Sequence, residues 1–176
     1  FFFDSMFAYL PLIAYSAAIS RWLAGAGFLS TLKTQVLWWC VFLWGIVLFG
    51  GHSLGYAHSL HEKYGPRWAS NAFQSEVGWC ALALACAAAH ALYKGSGGEP
   101  ILLAHAIVLF GSVYGHVMEY LDETSPYRDG FGLWTGVLAY AALGSGSAIT
   151  YFILLFYDGR QNLQHSYVPQ PKEKQT

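Results

Sequence analysis

Six ionisable side chains stand within or at the ends of apolar stretches and could do chemistry there: His52, Glu76, His90, His105, His116 and Glu119. His116 and Glu119 lie three apart in GSVYGHVMEYLDE, residues 111–123, so on a helix they share a face. Glu76, Cys80, Ala83, Ala87 and His90 follow a four-three-four-three spacing and line one face of the preceding stretch. His105, Ser112, His116 and Glu119 line a face of the next. Folding these two stretches as an antiparallel pair about the loop near residue 97 sets Glu76 level with Glu119, and His90 level with His105. At about 1.5 Å rise per residue, the two levels are roughly 20 Å apart. His52, which ends the run FGGH, comes to the side of Glu76. The spacing therefore predicts an outer level of His52, Glu76, His116 and Glu119, and an inner level of His90 and His105.

Ionisable groups are costly in lipid and usually face a bundle interior or water. The simplest use of such levels is mutual hydrogen bonding that fixes helix register. A second is a transition-metal site at His52, Glu76 and His116, since imidazole and carboxylate suit zinc, copper or iron. The HxxE spacing with a Glu on a neighbouring helix is similar to the inward-facing sets of helical-bundle metal sites. A third is axial ligation of haem or a chlorophyll-type pigment by His90 and His105. It ranks below the metal, because adjacent helices on a short loop leave little width for a macrocycle. Transport along the polar stripe is a fourth, disfavoured by the lack of an inverted repeat or a broken helix. No spacing has the specificity of HExxH, and no catalytic residue is assigned. An enzyme is the less favoured class.

These residues need apolar elements to position them. Of 176 residues, 55% are hydrophobic and 11% charged, where a soluble domain usually carries about 25% charged residues. Segments 34–61 and 131–157 contain no Asp, Glu, Lys or Arg, and 5–32 is broken only by Arg21. About 20 apolar residues cross a bilayer as a helix. The expectation is an all-α integral membrane bundle of five transmembrane helices, at about 5–28, 34–58, 74–93, 100–120 and 131–157. They form a single domain, 1–157, followed by a polar tail, 158–176. No basic residue precedes the first run, which is not the pattern of a secretory signal.

Net charge is −1, which offers nucleic acid no electrostatic attraction. Cys40, Cys80 and Cys86 lie inside apolar runs without a CxxC pair and read as small apolar residues. With five spans, Arg21, Lys33, Lys94, Arg160, Lys172 and Lys174 fall on one side, and Lys63, Arg67 and Arg128 on the other. That bias puts the C-terminus on the cytoplasmic or equivalent side. Glycines four apart (Gly51/Gly55, Gly111/Gly115, Gly132/Gly136) predict close helix packing. Trp38, Trp39, Trp68, Trp79 and Trp134 suit an interfacial aromatic belt.

Residues 50–120 resemble an uncharacterised prokaryotic multipass membrane family of unknown function. The resemblance rests on GGH at 50–52, AFQSEVGW at 72–79 and FGSVYGHV at 110–117, with Ala72 where the family pattern has proline. It implies a fold of four to five helices and no reaction, and it points to His52, Glu76 and His116. The expected function is a small multipass subunit of a larger membrane complex, structural or accessory, with lipid and other membrane subunits as partners. The heavy aromatic content, 18%, and the polar tail favour it. The alternative is a free-standing metal- or haem-binding membrane protein.

Overall fold

The computed structural model describes residues 2–54, 72–124 and 133–166, with side chains over 7–54, 75–118, 120–124 and 137–157. Residues 55–71, 125–132 and the part of the polar tail after Ser166 lie outside the described residues.

The first helix, α1 (Phe2–Leu23), buries Phe7, Leu10, Ala14 and Ala18, a stripe with helical spacing. It ends earlier than the apolar run suggests, because Gly25 takes a left-handed φ of +94° and Ala26 N–H closes onto the Arg21 carbonyl at 3.0 Å. Helix α2 (Phe28–Ser53) starts after Gly27 rather than near residue 34. Its middle, Leu37–Leu43, is a π-helix, which widens each turn and re-aims the residues that follow.

Helix α3 (Ala72–Lys94) buries Ala81, Ala85, Ala88 and Ala91 along one side. That alanine stripe lets it approach α2 at Gly45, where an added Cβ would lie 2.5 Å from the Ala81 carbonyl oxygen. Helix α4 (Gly98–Leu121) buries Leu102, His105, Ala106 and Leu109, then no further described side chain to its end. Helix α5 (Leu133–Ser166) buries Ala139, Leu143, Ser147, Thr150 and Leu154, three or four apart.

Phe28–Ser53, Ser75–Lys94, Gly98–Met118 and Val137–Tyr157 are each long and apolar enough to cross a membrane, so the chain is a multipass membrane protein. Helix α1 packs in the same bundle, against α2 and α5.

The packing order differs from the chain order. Helix α3 lies along α2, α4 lies along α5, and α1 joins the two pairs by touching both α2 and α5. Helices α3 and α4, expected to face one another, share little surface despite their short connection through Gly95 and Gly97. At that end, Lys33 Nζ and Glu99 Oε1 form an ion pair at 2.9 Å that ties α2 to α4.

Among the described residues, the glycines that bring helices together are also not the expected ones. Gly45 and Gly78 face α3 and α2 respectively, whereas Gly51, Gly111 and Gly115 have open space where a Cβ would go. Gly55 and Gly132 lie outside the described residues, as does Trp68. Trp79 and Trp38 are exposed; Trp79 stands near the start of its span, whereas Trp38 lies ten residues past Phe28, in mid-span rather than at an end. Cys40 is buried, while Cys80 and Cys86 are exposed.

Candidate functional site

His105 is a fully buried ionisable side chain among the described residues of the bundle. Helix α4 carries its ring into full burial, seven residues past Gly98, or about 10 Å along the axis at 1.5 Å per residue. Its Nδ1 is hydrogen-bonded to Ser147 Oγ on α5 at 2.8 Å. The ring lies edge-on to Trp44 of α2, with centroids 4.7 Å apart and planes at 75°. One turn further along α5, Tyr15 OH and Thr150 Oγ1 both reach the Gly146 carbonyl, at 3.1 and 2.8 Å, and lie 3.0 Å from each other. Four helices thus contribute polar groups to one interior: Tyr15, Trp44, His105, Ser147 and Thr150.

Local sequence explains the geometry. The run GSGSAIT, residues 144–150, puts Ser147 and Thr150 on one face of α5, with Gly146 between α5 and Pro11 of α1. The π-helical turn ahead of Trp44 sets the direction in which that indole points. Two atoms of this cluster are buried without a hydrogen-bond partner: Trp44 Nε1 and His105 Nε2. A neutral imidazole whose Nδ1–H serves Ser147 presents an acceptor at Nε2, and an indole N–H is always a donor. The cluster therefore holds an unused donor and acceptor, or a nitrogen able to ligate a metal.

The expected inner pair does not form. His90 is exposed on α3, and His105 turns to α5 and α2 instead. The pair requires α3 and α4 to be mutual partners, and each packs mainly elsewhere. His90 stands four residues before the end of its span, where headgroups and water can solvate it.

The expected outer level is divided between two helix pairs. His52 is buried at the α2–α3 contact, where a Cβ on Gly78 would lie 3.1 Å from its Cβ. His116 stacks on Tyr140 of α5, with centroids 5.6 Å apart and planes at 8°. Glu76 is exposed, one residue inside the start of its span, and the Glu119 side chain lies outside the described residues. Among the described residues, no group of three or more His, Cys, Asp or Glu is placed to hold a metal ion. The metal set of His52, Glu76 and His116 is thus not assembled there.

The motifs around His52, Glu76 and His116 fall within residues 3–144, the stretch matched by a family model described as a family of unknown function, DUF6790. The chain belongs to this family. The match runs from α1 into α5, so it includes Tyr15, Trp44, His105 and His116, but stops short of Ser147 and Thr150. Comparison with curated proteins and with solved structures gave no match.

Sequence reasoning singled out His105 and missed its partners. Ser147 and Thr150 were legible as hydroxyls three apart in an uncharged run. Trp44 carried no such signal, because its position depends on the π-helical turn.

Proposed function

We propose that this member of the family is a small multipass subunit of a larger membrane assembly, with a structural or accessory role. The observation that supports the reading is the outer half of α4. Among its described side chains from Phe110 to Leu121 none is buried, and Gly111 and Gly115 stand open. Glycines four apart permit close approach of another helix backbone, and among the described residues no helix takes that place. The buried His105 cluster then serves to fix the register of α4 on α5. In the same reading, the C-terminus lies on the cytoplasmic or equivalent side, the side to which six of nine Lys and Arg residues fall.

The test is native electrophoresis after mild extraction from the source membrane. The wild-type chain of 19.4 kDa is expected in a larger species. A Gly111→Ile/Gly115→Ile double variant is expected to leave that species and run alone. A wild-type chain that runs alone, and gives no crosslinks in intact membranes, would overturn the proposal.

A second reading, metal or haem binding, has one specific observation in its favour: Nε2 of the buried His105 has no hydrogen-bond partner. An absorption spectrum with elemental analysis of purified protein tests it. A Soret band or stoichiometric metal that disappears in His105→Ala supports this reading; their absence from the wild type removes it.

A further inference from the structure

Where α1 turns into α2, a pocket opens that is lined by Arg21, Ala26, Ser30, Thr31 and Thr34. Among the described residues Arg21 has no ion pair or hydrogen bond from its side chain, whereas Lys33, on the next helix, is held by Glu99. The pocket also meets the start of α2. Gly27 at the N-cap offers no side-chain cap, and the first helical bond is that of Thr31 N–H to the Gly27 carbonyl at 3.1 Å. The N–H groups of Phe28, Leu29 and Ser30 therefore have no helical partner.

The third feature is the hydroxyl of a buried threonine that lines the pocket. Thr31 is 8% exposed, and among the described residues its side chain makes no hydrogen bond. The hydroxyls of Ser30 and Thr34 are engaged, donating to the carbonyls of Gly27 and Ser30 at 3.1 and 2.7 Å. The donors left over are an arginine fork, a helix N-terminus and one threonine hydroxyl, a set that matches a phosphate.

The depth of the pocket identifies the source of that phosphate. Phe28 begins a membrane-spanning segment, and Trp22 meets it edge-on at 5.6 Å, with Leu23 exposed beside them. Exposed aromatic and apolar side chains at the end of a span sit at headgroup level. Arg21 stands among them, where a lipid phosphate lies and acyl chains can follow the apolar surface.

From this geometry we infer that the α1–α2 turn binds the phosphate of a phospholipid headgroup, with Arg21, Thr31 and the first turn of α2 as its donors. This site is separate from the α4 face and from His105.

Native mass spectrometry of the full chain in detergent tests the inference, with phosphatidylglycerol, phosphatidylcholine and inorganic phosphate titrated as separate arms. Phosphatidylglycerol should bind, and Arg21→Gln should weaken it about tenfold, the size expected for lost charge-assisted hydrogen bonds. Lys94→Gln, which removes a charge from the same end of the bundle, should change affinity less than about twofold, as a distant screened charge does. Thr31→Val, which keeps shape and charge, should weaken binding in the same direction and separates a binding defect from a folding defect. Equal losses in Arg21→Gln and Lys94→Gln, or no loss in Thr31→Val, would overturn the site. Inorganic phosphate binding with no response to either lipid would overturn the lipid assignment.

Discussion

His105 and Ser147 join α4 to α5 through a 2.8 Å hydrogen bond in the fully buried centre of the bundle. No water is available there to replace a lost partner, so an unpaired polar group bears its whole desolvation penalty. Ser147→Ala should therefore destabilise the protein by about 1–3 kcal/mol, because it leaves an imidazole nitrogen unsatisfied. The double variant His105→Phe/Ser147→Ala removes both partners and should recover much of that loss. Thermal unfolding in detergent checks both. A double variant worse than the sum of the singles would show that the pair is not the unit that matters.

Gly45 and Gly51 stand on the same helix with opposite surroundings. A Cβ at Gly45 would meet the Ala81 carbonyl oxygen and lie 2.8 Å from Ala85 Cβ, whereas at Gly51 it would meet nothing among the described residues. Gly45→Val should cost about 1–3 kcal/mol, the usual range for overpacking, as α3 is pushed off α2. Gly51→Ala should leave stability equal or raise it by up to about 1 kcal/mol through helix propensity. Equal effects at the two positions in an unfolding titration would contradict the observed α2–α3 approach.

Glu76 and His90 offer a third comparison. Both are exposed near the ends of α3, where headgroups and water can serve them. Glu76→Gln and His90→Ala should each change stability by less than about 0.5 kcal/mol, as surface substitutions generally do. His105→Ala, which empties a buried site and orphans Ser147, should lower the unfolding midpoint clearly more than either. A loss in Glu76→Gln as large as that of His105→Ala would mean that the carboxylate has a partner within the bundle.

Composition and the length of the uncharged runs determined that this chain is a helical membrane bundle, since a span of lipid demands about 20 apolar residues whatever they pack against. Spacing placed His105 on a polar face, because the direction of a side chain around a helix depends on residue count alone. Which helix each face would meet was decided by tertiary packing. Helix α3 goes to α2 because alanines face Gly45, and α4 goes to α5, where Ser147 waits for His105. Periodicity describes one helix at a time and is silent on its neighbour, so the expected α3–α4 pairing, and with it the His90–His105 pair, did not form. The turn at Gly25 and Gly27 was hidden in a continuous apolar run, since glycine and alanine do not interrupt hydropathy even where backbone φ turns positive. The π-helical turn before Trp44 was equally hidden, because the same residues can satisfy either helix locally and only the packing around Cys40, Val41 and Trp44 selects the wider one.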